Sequence, residues 1–362
     1  MARQLKRILF VVEEFAVPSP AQQLLDRFLI GYPRDGVVHR LEGCQVSVFS
    51  TTKEVELERR EKDFGLVRVA NLEKAAAEAD AVVVAGKDGG ASDELLRRVI
   101  EGAREGGACF VHGALASSLE VARAMMKRAA ARKILLLAGT PLGLTWRLPQ
   151  IDVRKGSSLK EALIVVQGPA PMAELEGLDG LLPIIERRRG GEAGIRRVRR
   201  LQGNEVWSAG DKGEWSWSLL ASAISRSDSP QGDAVLDGRT QDLVGLGLVQ
   251  KLAREPRGWL IEHRDGLRST ILVLDGVLAD YNFAVRAQDG AVVSAQLYRA
   301  PAPSQHHFSL LATAMEEFFH TGKSPWRIER NLLTTGLLEV FAKAGVEGVR
   351  VETPGLGISY GG

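Results

Sequence analysis

The residues whose types could do chemistry lie mainly where apolar runs end. After Ile8-Leu9-Phe10-Val11-Val12 the chain reads Glu13-Glu14-Phe15-Ala16-Val17-Pro18-Ser19-Pro20. A dinucleotide-binding turn carries G-x-G-x-x-G at this place. Its glycines let the backbone approach a diphosphate and set it on the next helix N-terminus. This turn has no glycine, and Glu13 brings a carboxylate to where a phosphate would lie. The second apolar run ends in Ser50-Thr51-Thr52-Lys53 instead of the usual acid for the ribose hydroxyls. Ser50, Thr51 and Lys53 suit a ribose 2′-phosphate; a helix cap beside a solvated lysine is the other reading. A third segment, AGKDGGASD, holds Gly86, Gly89 and Gly90 ahead of a helix start that would receive an anion. A flexible loop is the alternative there.

Six histidines are present, and none has zinc-protease or Cys/His metal spacing. Glu317 and His320 form one E-x-x-H, and a dimetal site needs further carboxylates, so no metal is expected. His112 ends an apolar run at the edge where ligands bind, as a catalytic imidazole or as a structural one. Trp146 and Arg147 follow LAGTPLGLT near a predicted domain junction. There an aromatic face would stack on a sugar ring and a guanidinium would bind hydroxyls or an anion. Trp215 and Trp217 read as packing at a helix start. The seven arginines between Arg187 and Arg200 read as a solvated or interfacial sheet face with nearby acids as partners. No RNA-binding module accompanies them, so no nucleic-acid partner is expected. The chain contains no nucleophile elbow and no P-loop, and GLGLVQ at Gly245 lacks a preceding strand.

The elements that must position these residues follow two patterns. Up to about residue 140, β-rich apolar runs (8–12, 45–50, 66–70, 81–85, 108–112, 133–139) alternate with amphipathic helices. That alternation predicts a Rossmann-like parallel sheet covered on both faces. Asn71 and Ser92 or Asp93 are predicted helix caps. Beyond Pro149 the pattern changes to an α+β domain with a largely antiparallel sheet. It includes the alternating strand IRRVRRLQ and hairpins turning at Asp265-Gly266 and Asp289-Gly290. The expected domains are 1–145, a degenerate dinucleotide-binding unit, and 146–362, a substrate and oligomerisation unit.

A length of 362 residues suits two domains, and 45% hydrophobic with 25% charged residues is the balance of a globular protein. A net charge of +2 implies no polyanion partner. Cys44 and Cys109 make no disulfide framework. The first apolar run is too short for a signal peptide and no stretch reaches membrane-span length. A cytoplasmic protein with no membrane partner is the expectation.

The element order and the stretch CFVHGALASSLEVARAMMKRAAARKILLLAG resemble the Gfo/Idh/MocA family, and specifically a glycine-poor branch of it. That branch is marked by FL-x-GYP (Phe28 to Pro33), AG-x-x-L-x-x-TWR (Ala138 to Arg147), ERR-x-GGE (Glu186 to Glu192) and TGK-x-P-x-x-x-ER (Thr321 to Arg330). The resemblance implies a sugar or polyol oxidoreductase with NAD(P) as possible cofactor. It also implies a carbohydrate-like ligand and a homodimer or larger homo-oligomer formed through the second-domain sheet. The family's Glu-Lys-Pro positions hold His112, Gly113 and Ala114 here. Its H-x-x-D pattern falls on Glu176 and Asp179. Three residues apart, these two share a helix face, and paired carboxylates serve as proton donor and acceptor. A non-redox lyase or epimerase, or a catalytically silent binding subunit on the same fold, are the alternatives.

Overall fold

The computed structural model describes residues 4–52, 54–90, 92–230, 242–344 and 349–361. Lys53, a predicted cofactor residue, lies outside them. Two compact units form: Met1–Pro141 with Ala302–Thr335, and Leu142–Pro301 with Gly336–Gly362. The expected boundary at residue 145 puts 302–335 in the second domain; the structure groups them with the first unit.

The first unit is built on a parallel sheet of β1 (Arg7–Val12), β4 (Gln45–Ser50), β5 (Val67–Arg68), β6 (Ala81–Gly90), β7 (Ala108–Ala114) and β8 (Leu135–Gly139). A short hairpin, β2 (Tyr32–Arg34) with β3 (Val37–His39), stands apart from it. The spatial order is β5-β4-β1-β6-β7-β8, which is the 3-2-1-4-5-6 order of a doubly wound nucleotide-binding fold. Its central strands carry buried apolar runs because helices cover both faces; Ile8 to Val12 and Ala81 to Ala85 are all buried. The covering helices are α1 (Pro20–Leu29), α2 (Val55–Phe64), α3 (Leu72–Glu78), α4 (Asp93–Gly102) and α5 (Leu119–Ala131). Their starts follow local chemistry: Ser19, Asn71, Ser92 and Ser118 each accept a hydrogen bond from a backbone N–H of the first turn.

One strand departs from expectation. β6 continues through Gly90, after a register shift between Ala85 and Gly90, and Gly90 pairs with Ala114. Gly86, Gly89 and Gly90 therefore belong to an extended strand and not to a flexible loop. A Cβ on Gly90 would meet only ordinary contacts, so its lack of a side chain is not needed for packing.

The second unit carries a mixed sheet ordered β16-β11-β12-β13-β10-β14-β15-β9. Its strands are β9 (Arg147–Leu148), β10 (Leu159–Val166), β11 (Ile195–Gln202), β12 (Arg257–His263), β13 (Arg268–Val273), β14 (Tyr281–Ala287), β15 (Val292–Leu297) and β16 (Arg350–Glu352). All pairings are antiparallel except β10 with β13. Both Asp-Gly hairpins form, with Gly266 and Gly290 at φ of 90°, a conformation that favours glycine. Helix α6 (Met172–Ile185) lies on this sheet; α7 (Asn204–Asp211), α8 (Trp217–Ile224) and α9 (Leu248–Leu252) complete the layer. Trp215 is buried in a core with Leu219, Leu220, Leu272 and Ala284, the packing role read from its sequence. The glycines inside α6 have a steric cause: a Cβ on Gly180 would sit 2.8 Å from Leu297 Cδ1 and 2.9 Å from Ile164 Cδ1. Two long helices, α10 (His306–Thr321) and α11 (Ile328–Lys343), follow, and α11 carries the chain from one unit into the other.

Candidate functional site

In the first unit, β1 lies between β4 and β6, where the strand order reverses. Ligands of open α/β sheets bind at the carboxyl ends of the strands at such a point. Here that edge is filled from within. Glu13 Oε2 accepts a hydrogen bond of 3.1 Å from the backbone N–H of Lys87, where β6 passes. Glu54, at the start of α2, accepts one of 3.3 Å from the N–H of Phe15 and one of 2.9 Å from the Thr52 hydroxyl. Glu14 pairs with the Lys87 ammonium at 3.3 Å. Phe15 takes the volume that a glycine turn would leave open: it is buried, under the Arg60 guanidinium at 4.9 Å. Arg60 in turn binds Asp26 with both arms, at 2.6 and 2.7 Å, so α2 is tied to α1 over the turn.

The hydroxyls expected to hold a ribose phosphate are also engaged. Thr51 Oγ1 donates to the carbonyl of Glu13 at 3.1 Å, and Ser50 Oγ accepts from the N–H of Thr52 at 3.2 Å. The helix starts offer little to an anion. α1 begins with Pro20 and is capped by Ser19, while α4 has Asp93 and Glu94 in its first turn and is capped by Ser92. The Ser19 and Ser92 hydroxyls already take up an N–H at each opening, and at α4 the two acids add like charge against an anion. The residues at this edge do not fit a dinucleotide: its diphosphate would have to displace two carboxylates and share their field.

His112 is buried on β7, two residues before the strand ends, with its ring 6.2 Å from that of Phe308. Its Nε2 has no hydrogen-bond partner among the described residues. Burial pushes the imidazole down to about 4, so it is neutral at pH 7. Nearby, Arg27 is buried with no ion pair among the described residues and donates to Gln23, Ser304 O, Gln305 O and Ser309 Oγ. Desolvation lowers it to about 10. It anchors the segment leading into α10 to α1, a role with no sequence signal beyond an arginine on an apolar helix face.

In the second unit, α6 presents Glu176 to two partners. Tyr281, on β14, donates its hydroxyl to Glu176 Oε2, and Arg299 Nη1 lies 3.4 Å from the same oxygen. The Arg299 guanidinium also stands over the Tyr281 ring at 4.7 Å. Burial and the neighbouring carboxylate raise the Tyr281 phenol well above its usual range. Asp179 lies one helical turn on but is buried, whereas 17% of the Glu176 side chain is exposed. The two acids share a helix, yet Glu176 is grouped with Tyr281 and Arg299. Those two residues carried no motif; only the pairing of β10 with β14 brings Tyr281 to α6.

Trp146 is exposed and stacks on Tyr298 with planes 5° apart and centroids at 6.5 Å. Arg147 turns inward: only 13% of its side chain is exposed, Nη1 donates to Thr145 O at 3.2 Å, and Nε lies 3.6 Å from Asp152. Desolvation lowers its pKa. Its charge is engaged inside the protein. The run has acid partners, with Arg188, Arg197 and Arg199 paired to Glu192, Glu262 and Glu205, but Arg188 is buried and not on a solvated sheet face. No group of three or more potential metal-binding side chains exists among the described residues, and none of their helices is long and apolar enough to cross a membrane.

The fold built from the six-stranded parallel sheet and the eight-stranded mixed sheet is shared with solved structures of myo-inositol dehydrogenases and of an NAD-bound protein from gentamicin A biosynthesis. Particular solved structures share it over nearly the full chain. GenD2 from gentamicin A biosynthesis, in complex with NAD, matches with a TM-score of 0.62 at 14% identity, covering 97% of this chain and 98% of that one. A putative myo-inositol dehydrogenase from Sinorhizobium meliloti matches with 0.60 at 12% identity, covering 96% and 99%. Myo-inositol dehydrogenase from Lactobacillus casei, in complex with NAD(H) and myo-inositol, matches with 0.58 at 12% identity, covering 96% of each chain. No family model and no curated protein matches the chain.

Proposed function

We propose that this chain acts on a sugar or polyol derivative by proton transfer, as a lyase or epimerase on a dehydrogenase scaffold, with Glu176 as the proton-transfer group. The observation that carries this reading is the joint hold of Tyr281 and Arg299 on Glu176 Oε2. Neither bond uses Oε1, which is left to take a proton from a carbon next to a carbonyl. The electron pair released by that C–H bond passes into the carbonyl, and the guanidinium of Arg299, 40% exposed, stabilises the resulting oxyanion. Delivery of a solvent proton to the opposite face gives an epimer, with the Glu176 proton released to water; transfer of the Glu176 proton to a β-hydroxyl, which leaves as water, gives an unsaturated product. Trp146 offers its exposed ring to the C–H face of the sugar. Asp179 and His112, both buried, are not assigned a proton.

The test is deuterium exchange at carbon, followed by NMR on a panel of keto sugars and sugar acids, for the native chain and Glu176→Gln. Loss of the exchange by roughly a hundredfold or more is expected, the usual scale for a positioned acid or base. Equal exchange in both proteins removes the proposal.

A second reading, an NAD(P)-dependent sugar oxidoreductase with a modified nucleotide site, is favoured by the strand order and by the NAD bound in GenD2. It requires Glu13 and Glu54 to leave the amides they hold. For either reading a homodimer or larger homo-oligomer is proposed, assembled through the eight-stranded sheet and checked by light scattering.

A further inference from the structure

We propose that Glu13 and Glu54 are internal occupants of the diphosphate position, and that they exclude phosphorylated nucleotides from the first unit. At a nucleotide-binding switch point, backbone N–H groups of the first strand-to-helix turn and its neighbours are left unpaired for phosphate oxygens. Here the N–H groups of Phe15 and Lys87 point to carboxylate oxygens of the same chain, at 3.3 and 3.1 Å.

The arrangement is held in place from several sides. The backbone of Glu13 is fixed by its N–H to Ala85 O at 3.4 Å and by its carbonyl, which accepts from Thr51 Oγ1 at 3.1 Å. Glu54 is fixed by Thr52 Oγ1 and by its place at the head of α2. Phe15, buried below Arg60, keeps the turn from adopting the close approach that a glycine turn allows. A carboxylate satisfies an amide donor as a phosphate oxygen does, so the edge needs no ligand to be stable. An arriving diphosphate meets both occupied donors and like charge. Each effect opposes binding, and they act together.

This inference does not rest on the Glu176 reading, whose readout is exchange at substrate carbon. The experiment is titration of the native chain, Glu13→Ala/Glu54→Ala and Glu13→Gln/Glu54→Gln with NADH, NADPH and inorganic pyrophosphate, followed by nucleotide fluorescence and melting temperature. A ligand that binds only the folded state must raise the melting temperature. The native chain is expected to show no shift with any of the three. The alanine pair opens two donors and removes two charges, so NADPH affinity should rise on the order of tenfold to a hundredfold. The glutamine pair keeps the hydrogen bonds and loses the charge, and should gain less than the alanine pair. If the alanine pair does not fold, a gain in the glutamine pair over the native chain carries the test. Saturable binding of NADH or NADPH by the native chain overturns the proposal, and so does a folded variant that binds no better than the native chain.

Discussion

The side-chain amide of Asn331 pairs with both backbone groups of Ala138: Oδ1 accepts from the N–H at 3.2 Å and Nδ2 donates to the carbonyl at 2.7 Å. β8 is the last strand of the parallel sheet, so its outer backbone groups lack a neighbouring strand. Asn331 imitates that neighbour at one residue, and the Trp326 indole adds a second bond to the same carbonyl at 3.0 Å.

Asn331→Ala should therefore lower stability by about 2–3 kcal/mol, because the buried Ala138 N–H loses its partner and the carbonyl loses one of two. Asn331→Asp should be at least as damaging, since it places a second acceptor against the Ala138 carbonyl. Urea unfolding followed by circular dichroism measures both; a loss of under about 0.5 kcal/mol for Asn331→Ala, the scale of a neutral surface change, would count against the pairing.

Glu192 sits wholly buried between His263 Nδ1, at 2.9 Å, and Arg188 Nη1, at 3.1 Å, with the far side of His263 bonded to Ser269 at 2.8 Å. Desolvation raises its pKa, but the charges and hydrogen bonds of His263 and Arg188 outweigh it, and the carboxyl falls from 4.5 to about 2. The unfolded carboxylate takes a proton first as pH drops. Stability is complete above pH 4.5 and declines toward pH 2, by on the order of 3 kcal/mol. Glu192→Gln should flatten the stability profile in that window and be less stable at pH 7. Chemical denaturation across pH 2 to 6 checks it.

His112 gives a separate window. Its imidazole is held from 6.5 down to about 4 by burial alone. The neutral form is the folded one, so stability is full above pH 6.5 and falls as pH drops toward 4, again by on the order of 3 kcal/mol. NMR of the ring should show no titration between pH 5.5 and 8. His112→Phe, which can stack on Phe308, should remove this part of the pH dependence; an unchanged profile would mean that His112 is not its source.

Gly180→Ala sets helix propensity against sterics. Alanine favours the helix by about 1 kcal/mol. Its Cβ would press on Leu297, Ile164 and Leu142, all buried, and such overpacking costs about 1–3 kcal/mol. Net destabilisation of about 1 kcal/mol is expected in thermal melts, where a stabilised variant would show that α6 shifts freely on its sheet.

Much of the architecture was legible along the chain because its causes are local. Strand and helix alternation, the caps at Asn71 and Ser92, the strand IRRVRRLQ and both Asp-Gly turns depend on residues close in sequence. The missing glycine turn was equally plain. The extension of β6 was not, because Gly86 to Gly90 read as a loop until Ala114 supplies a partner strand for Gly90. Arg147 was read as a ligand contact, and only its fold neighbours Thr145 and Asp152 show where its charge goes.

Sequence by itself determined the plan of one parallel and one largely antiparallel sheet, the absence of a conventional phosphate turn and the presence of Glu13 in its place. Tertiary structure alone decided what those residues do. Glu13 meets Lys87 from 74 positions away, and Glu176 meets Tyr281 across 105. Hydrogen bonds and charges act over a few ångströms in space, and chain separation says nothing about that distance until the sheets have set their register.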